Sequence, residues 1–222
     1  MDGKVFKITS IKAQARNRQR VNIYLDGEYG FAVDRIVAAW LKVGDDLDEE
    51  KINQLTAQDE YEKAYQQALR FLSFRARSET EMTAHLQKRG LNAEAINETI
   101  IRLKNNQLID DKNFAENWIE NRIHSRNRSR RGLALELHRQ GVAAQVVENA
   151  LEATYGDEQE IAMRAALKMA YKLCGMNWQD FRRKMISRLM YRQFSYEMAS
   201  EVTRRIWEEI KEAEKESKED LK

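Results

Sequence analysis

The sequence predicts a mainly α-helical fold: three tandem three-helix repeats in an elongated curved array, preceded by a small β-rich N-terminal domain. Three observations support this prediction. Apolar and polar residues alternate in the first fifty or so positions, as is typical of half-buried strands. After residue 57, apolar residues recur with the period of a helix. The helical part also repeats itself at intervals of 51 and 52 residues, which indicates a repeat architecture.

The β-rich domain is predicted over residues 1–56. Two stretches, KVFKITSIKAQ and RVNIYLDGEYGFAV, alternate between apolar and polar residues. Asp26-Gly27 separates two alternating runs, and this dipeptide favours a type I′ hairpin turn, in which both central residues have positive φ. Asp34 is expected to cap a short helix over DRIVAAWL. The expected role of this domain is that of a structural cap.

Nine helices are predicted after residue 57, because apolar residues recur there three and four positions apart. Their ranges are 58–73, 79–89, 93–105, 112–125, 130–140, 143–154, 159–173, 179–192 and 196–215. The expected N-caps are Ser78, Asn92, Asp110 or Asp111, and Ser195. Ser78 and Glu81 have the spacing of a capping box. Gly90 is expected to end its helix in the left-handed conformation.

Three helical segments align with one another: residues 79–103, 130–154 and 180–206. The alignment superimposes Leu86, Leu137 and Leu189 at one position. It also superimposes Gly90, Gly141 and Gln193, so a different helix–helix turn is expected at Gln193. Tandem units of this kind bury apolar faces against their neighbours. The predicted limits of the repeats are 57–111, 112–158 and 159–215, followed by a charged tail at 216–222.

Charge is distributed unevenly along the chain, although the net charge is only +2. Residues 160–196 hold eight basic and two acidic groups, whereas residues 197–222 hold six and nine. This pattern is typical of proteins that handle nucleic acid or a charged partner, and equally of a solvated terminal helix. No apolar run reaches the length of a membrane span, and the N-terminus lacks a signal-peptide pattern. We therefore expect a cytoplasmic protein without a membrane association.

No catalytic or metal-binding pattern is found in the sequence. The three histidines lack a paired nucleophile, and the single cysteine, Cys174, lacks a histidine partner and is expected to be a buried, inert thiol. Glycine-rich phosphate loops and the HExxH and DxDxDG motifs are absent from the sequence. We therefore expect a protein that is not an enzyme and needs neither a cofactor nor a metal.

Basic residues are the remaining candidates for a functional surface. The stretch HSRNRSRRG, residues 124–132, holds four arginines and no acid. Arginine binds phosphates and carboxylates bidentately, so successive basic repeats favour a track for a phosphate backbone or an acidic protein groove. The alternative is a set of solvated faces and helix C-terminal charges. The predicted partner- or DNA-binding residues are Arg122, Arg126, Arg128, Arg130, Arg131, Arg139, Lys88, Arg89, Arg182, Arg183, Lys184, Arg188 and Arg192.

Four segments together resemble the RecX family of bacterial recombination regulators. They are LRFLSFRARSETEMTAHLQKRGL, LIDDKNFAENWIENR, SRRGLALELHRQGV and FSYEMASEV, and they occur in the order typical of the family over about residues 60–210. The β-rich N-terminal segment resembles the extension of longer members. One departure is Ala76, which stands where the family usually has proline between two arginines.

The resemblance implies three tandem three-helix repeats and a regulatory role. RecX proteins bind the RecA recombinase in the groove of its filament on DNA, and usually inhibit its ATPase, coprotease and strand-exchange activities. Some members also bind DNA directly, so single- or double-stranded DNA is expected as a weak, non-specific partner. We expect the chain itself to be a monomer.

A second hypothesis is a stand-alone DNA-binding protein in which each repeat acts as a helix-turn-helix reader. Sequence-specific reading usually concentrates Asn, Gln or Arg on one recognition helix, whereas the basic residues here spread over loops and several helices. That distribution favours contacts to the nucleic-acid backbone over base reading. A helical scaffold for another partner is the third possibility, because helical repeats do not specify function.

Overall fold

The computed structural model describes the backbone of residues 4–219 and the side chains of residues 4–213. The chain divides into two compact units on either side of the Ile109–Asp110 bond. The first unit holds the sheet and the first three-helix repeat, and the second unit holds the other two repeats. The predicted curvature of the array concerns the placement of the two units and stays a prediction.

The sheet of the first unit is antiparallel, with strand order β3-β2-β1-β4. Its strands are β1 (Val5–Ala13), β2 (Arg20–Leu25), β3 (Glu28–Asp34) and β4 (Asp46–Asp48). The predicted hairpin is confirmed, since Asp26 and Gly27 have φ values of 50° and 89° between the paired strands β2 and β3. The alternating residues Ile8, Ile23 and Val33 are fully buried and form the core of the sheet.

The short helix predicted after Asp34 is wrong, because residues 35–40 form turns. The Asp34 backbone carbonyl accepts hydrogen bonds from the Val37 and Ala38 N–H groups, and the Asp34 side chain accepts one from Ile36 N. Val37 and Ala38 reach the core of the sheet through these turns, whereas Ile36 remains 61% exposed. The turns bury Val37 and Ala38 against the sheet, and the segment forms no continuous helix.

The first helix, α1 (Glu49–Leu72), begins nine residues before its predicted start at residue 58. Asp48 caps it by accepting a hydrogen bond from Lys51 N at 2.7 Å, and Glu49 and Glu50 suit the positive end of the helix dipole. Leu55 packs into the core of the sheet. The domain boundary predicted between residues 56 and 57 consequently falls inside a helix.

The first repeat consists of α1, α2 (Glu79–Lys88) and α3 (Ala93–Asn105). The predicted capping box is confirmed: Ser78 Oγ accepts from Glu81 N, and the Glu81 side chain accepts from Ser78 N. Asn92 caps α3 as predicted, accepting from Ala95 N at 2.7 Å. Met82, Leu86 and Leu103 are fully buried in the core of this repeat.

The second and third repeats share one hydrophobic core, in which Leu137, Phe181 and Leu189 are fully buried. Their helices are α4 (Asp111–Arg126), α5 (Arg130–Arg139), α6 (Ala144–Thr154), α7 (Glu158–Ala170), α8 (Trp178–Tyr191) and α9 (Tyr196–Glu219). These six helices, α2 and α3 match their predicted ranges to within four residues. The predicted caps Asp110 and Ser195 are confirmed by hydrogen bonds from Asn113 N and Met198 N. Of the predicted tail, residues 216–219 continue α9, and residues 220–222 lie outside the described residues.

The turn expected to differ at Gln193 is the same turn as in the other repeats. Gly90 and Gly141 both have φ of 79°, and Gln193 has φ of 70°. In each repeat the following N–H donates to the carbonyl of the aligned leucine, as Phe194 N does to Leu189 O at 3.2 Å. The helix-ending geometry is therefore kept with a residue for which positive φ is less favourable than for glycine.

Candidate functional site

An open pocket of about 730 Å³ lies in the second unit, where the C-terminal ends of α4, α7 and α8 meet. Every charged residue that lines it is basic. These residues, which we call the cationic pocket, are Arg126, Arg128, Lys168, Lys172, Arg188 and Arg192. The second repeat supplies the first two of them and the third repeat supplies the other four.

The loop after α4 directs two arginines into the pocket. Helix α4 continues through Arg126 and ends at Asn127, whose φ of 45° is left-handed and whose side chain is almost fully buried. This conformation turns the chain so that Arg128 follows at the pocket and Ser129 caps α5. The Ser129 side chain is fully buried and accepts a hydrogen bond from Gly132 N at 3.0 Å.

Arg128 is held in place by contacts to both repeats. Its Nε lies 2.9 Å from Glu136 Oε1 in the second repeat. Its Nη1 donates to the Tyr191 backbone carbonyl of the third repeat at 3.0 Å, and the guanidinium lies 5.9 Å from the Tyr191 ring centre. The pocket wall therefore joins the two repeats through an oriented arginine.

Arg192 is the pocket residue whose guanidinium is partly buried and lacks one hydrogen-bond partner among the described residues. Its backbone carbonyl accepts from Ser129 N at 3.3 Å, which fixes the end of α8 against the start of α5. Its Nη1 is buried and has no hydrogen-bond partner within the described part of the chain. Burial lowers the pKa of the Arg192 guanidinium from its ordinary value, and the charges of Arg128 and Arg188 lower the pKa further.

The other four cations face solvent. Arg126, Lys168, Lys172 and Arg188 are exposed, and the described residues provide none of them with an ion-pair partner. Cations at helix C-termini are favoured by the helix dipole. That effect accounts for each one singly, but it does not account for the convergence of six of them on one cavity, since like charges repel.

The sequence did not predict two lysines and a tyrosine that line this pocket. Lys168 and Lys172 are four positions apart and therefore lie on one side of the chain at the end of α7, and the excess of basic residues over 160–196 was a signal for them. Tyr191 is 78% exposed beside the pocket, although it lies at the end of a core helix. Its sequence position carries no signal of that exposure.

Two of the predicted arginines of the second repeat, Arg122 and Arg130, lie outside the cationic pocket and form ion pairs. Arg122 Nε lies 3.1 Å from Glu136 Oε2, and its guanidinium stacks on Trp118 at 4.5 Å from the ring centre. Arg130 pairs with Glu148, and its backbone N–H donates to Glu158. The acids that pair with Arg128 and Arg130 of the stretch 124–132 are thus supplied from elsewhere in the sequence.

The remaining predicted residues do not line the cationic pocket. Arg182 donates to the Tyr196 hydroxyl at 3.0 Å, and Arg183 pairs with Asp180 at 2.8 Å. Exposed residues without a role in the pocket are Lys88, Arg89, Arg131, Arg139 and Lys184. A continuous basic track over all three repeats stays a prediction, because Lys88 and Arg89 belong to the first unit.

Among residues 4–213, no cluster of three or more His, Cys, Asp or Glu side chains could hold a metal ion. Within the described residues, no helix is both long enough and apolar enough to cross a membrane. Cys174 is exposed, which corrects the expectation of a buried thiol.

The repeats and the pocket define the class of protein as a helical-repeat protein with a basic candidate site. Three family models match the chain: the N-terminal domain of regulatory protein RecX at residues 6–48, the first RecX three-helix domain at 64–103, and the second at 110–151. Curated relatives are also similar. A "Regulatory protein RecX" of Bacillus pumilus is 33% identical over 93% of this chain and 81% of its own length. That of Bacillus licheniformis is 32% identical over 87% of this chain and 74% of its own length.

The chain belongs to the RecX family. A crystal structure described as regulatory protein RecX matches 91% of this chain and 99% of its own, with a TM-score of 0.71 and 28% identity. RecX from Lactobacillus salivarius matches 67% of this chain and 97% of its own, with a TM-score of 0.59 and 25% identity. The relatives are named as regulatory proteins, in agreement with the regulatory class expected from the sequence.

Proposed function

We propose that this chain binds the RecA filament on DNA and inhibits the ATPase, coprotease and strand-exchange activities of RecA. It acts in the cytoplasm as a monomer and has no catalytic activity of its own. Membership of the RecX family supports the regulatory class. The cationic pocket is the observation that favours a nucleoprotein target, because a cavity lined by cations of one sign attracts anionic groups.

The charge of this surface makes a physical prediction about the binding. Arg126, Lys168, Lys172 and Arg188 are exposed and project from the rim of one cavity. Contacts between such groups and phosphates release counterions, so affinity falls as salt rises. Binding to RecA on DNA is therefore expected to be salt-sensitive over about 50 to 200 mM salt.

The test is RecA ATPase on single-stranded DNA, titrated with the full-length chain. We expect ATP hydrolysis to fall as the chain is added, and to recover as salt is raised at a fixed ratio. An unrelated protein of similar isoelectric point serves as the control for non-specific charge. Unchanged ATPase activity with one chain per RecA protomer would overturn the proposal.

The alternative is a stand-alone DNA-binding protein. Exposed basic residues on the second helix of the second and third repeats, such as Arg131 and Arg182, are the observation behind it. Co-sedimentation of the chain with RecA–DNA filaments and with DNA alone separates the two functions. Footprinting of one particular DNA sequence without RecA would favour the alternative, whereas binding without sequence preference would count against it.

A further inference from the structure

We propose that the cationic pocket is a binding site for the phosphate groups of a single nucleotide strand, with Tyr191 stacking on a base at its rim. The inference deepens the proposed function and rests on it for the biological source of the strand. The site itself is argued from the geometry of the second unit alone.

The charge of the cationic pocket favours an anionic ligand. Six cations line one cavity of about 730 Å³ and no acidic residue lines it. Burial lowers the pKa of Arg192 most, and repulsion by the charges of Arg128 and Arg188 lowers it further. An anion in the cavity would turn this repulsion into attraction, and its effect would be largest for the groups that are least solvated.

One hydrogen-bond donor of the pocket, on Arg192, has no acceptor among the described residues. Arg192 Nη1 is buried, and no acceptor is present for it among the described residues. Buried polar groups in native proteins almost always have a partner, and a charged donor that is left unpaired destabilises the fold. Arg192 also lines the pocket, so an oxygen of a bound anion could accept the missing hydrogen bond.

Phosphate groups of a strand fit this cavity. A nucleic-acid strand carries one charge per nucleotide, so successive phosphates can contact several of the cations. Ser187 contributes a hydroxyl group, and hydroxyl groups bind phosphate oxygens. The Tyr191 ring is 78% exposed, and an exposed aromatic ring beside a basic groove is the usual platform for an unpaired base.

The walls of the pocket are held together before any ligand binds. The site requires two repeats, and these share one hydrophobic core. Arg128 Nη1 donates to Tyr191 O, and Ser129 N donates to Arg192 O, so the two walls are tied at the base of the pocket. A preformed site of this kind loses little conformational entropy when it binds a strand.

Direct binding without RecA tests the site. Fluorescence anisotropy of a labelled oligothymidine is measured with the full-length chain and with the double variant Lys172→Ala, Arg188→Ala. Both residues are exposed and unpaired within the described chain, so the fold should persist. We expect affinity to fall at least ~10-fold, and the slope of log affinity against log salt to fall by about 1.4 for two lost phosphate contacts.

The matched control is Arg164→Ala, Arg205→Ala, which removes the same charge from exposed positions of the second unit that do not line the cationic pocket and are not among the predicted binding residues. We expect less than about a 2-fold change, because its contribution is only long-range. Equal losses in the two double variants would overturn the inference, since general charge would then explain the binding. No loss in the pocket variant would overturn it as well.

Two single variants test the buried donor of Arg192 and the aromatic ring of Tyr191. Arg192→Met should weaken oligothymidine binding about 10-fold without lowering the melting temperature, because it removes a buried donor that has no partner. Tyr191→Leu should weaken binding about 5-fold, as expected for one lost base stack. A wild-type affinity for both variants would contradict the proposed geometry.

Competition identifies the source of the phosphate. Displacement of the labelled strand by unlabelled oligothymidine, but not by ATP or pyrophosphate at equal phosphate concentration, assigns the site to a strand. Displacement by ATP at that concentration supports the phosphate site and assigns it to a free nucleotide. Equal displacement by polyglutamate, together with an unaffected Tyr191→Leu variant, would overturn phosphate in favour of an acidic protein surface.

The RecA assay separates this inference from the proposed function. Pocket-dependent strand binding by a chain that leaves RecA ATPase unchanged would overturn the proposed function alone. Inhibition of RecA by a chain whose strand binding does not depend on the pocket would overturn the inference alone.

Discussion

Two equivalent loops of the molecule use their arginines differently. Arg75 and Arg77 of the first repeat lie 51 positions before Arg126 and Arg128 of the second, and each pair precedes a buried serine cap. In the first repeat, Glu81 accepts hydrogen bonds from both arginines, at 3.0 Å from Arg75 Nη1 and 3.4 Å from Arg77 Nη1. The position equivalent to Glu81 in the second repeat is a glycine, Gly132.

One acidic position thus changes the role of a repeated basic motif. Without an acid at position 132, Arg126 stays unpaired among the described residues and exposed at the pocket, while Arg128 reaches Glu136 instead. The first unit contains two further arginines that are paired with acids: Arg102 pairs with Glu62, and Arg20 pairs with Asp59. Basic residues with an acidic partner hold the fold, whereas the exposed cations of the pocket have no such partner among the described residues.

The largest expected effect is the loss of a paired acid in the first unit. Asp59 is 2% exposed and accepts hydrogen bonds from Arg20 at 2.9 and 3.0 Å. It also accepts one from Asp34 N at 2.7 Å. Asp59→Asn should lower the free energy of unfolding by about 3 kcal/mol, because Arg20 is left without a charged partner. Hydrogen exchange of the sheet amides measures this locally.

The control for Asp59→Asn is Lys63→Gln. Lys63 lies 2.7 Å from Asp59, but its side chain is 46% exposed, so water screens the pair. We expect a loss below about 1 kcal/mol. Equal losses for the two variants would contradict the assignment of Arg20 and Asp59 as the structural pair.

The pH dependence of the first unit follows from the same carboxyl. Burial of Asp59 raises its pKa, but hydrogen bonds from Arg20 and Lys63 outweigh burial, so the pKa lies below its ordinary value. A group with a lowered pKa stabilises the fold above its unfolded pKa, near 4, and that stabilisation is lost as the pH falls through the folded pKa. Wild-type protection of the sheet amides should therefore fall more steeply below about pH 4 than that of Asp59→Asn. Parallel pH curves would contradict this.

The second prediction concerns the acid that Arg122 and Arg128 share. Glu136 also accepts a hydrogen bond from Trp118 Nε1 at 3.2 Å. Glu136→Gln should lower the free energy of unfolding of the second unit by about 2 kcal/mol, because one charged acceptor serves three donors. Arg188→Ala, which removes an exposed pocket cation, should change it by less than about 0.5 kcal/mol. Denaturation monitored by hydrogen exchange distinguishes them, and a reversed order would break the comparison between structural and available arginines.

The third prediction uses the glycine that replaces Glu81. A Cβ at Gly132 would lie 3.1 Å from the Arg192 carbonyl oxygen and 3.3 Å from Gln193 Cβ. Gly132→Ala should therefore cost about 1 kcal/mol, despite the higher helix propensity of alanine. If thermal denaturation instead shows a free energy of unfolding that is higher by about 1 kcal/mol, the end of α8 shifts at little cost to accommodate the added methyl group.

The smallest expected effect is at Gln193. Gln193→Gly should raise the free energy of unfolding by about 0.5 kcal/mol, because relief of the positive φ exceeds the added freedom of the unfolded chain. Gly141→Ala, at the equivalent turn with φ of 79°, should lower it by about 1 kcal/mol. Chemical denaturation measures both, and a destabilised Gln193→Gly would indicate that the glutamine side chain contributes more than its backbone strain.

The sequence by itself determined the features that depend on neighbouring residues. The Asp26-Gly27 hairpin, the Ser78 capping box and the cap at Asn92 each involve groups within a few positions, so their geometry follows from local chemistry. The internal repeats were visible for the same reason, because each repeat encodes its own apolar periodicity. The basic character of residues 124–132 was also visible, but not the distribution of roles within it.

Tertiary structure alone decided which charges are paired and where the free ones meet. Glu136 neutralises Arg122 and Arg128 from another helix, and Arg192 comes to Arg128 from 64 positions away. It also decided that residues 35–40 form turns, because Val37 and Ala38 are buried against a sheet that lies elsewhere in the sequence. Local patterns fix backbone conformation through short-range hydrogen bonds and periodicity. Electrostatic pairing and burial depend on distances in space, which only the folded chain sets.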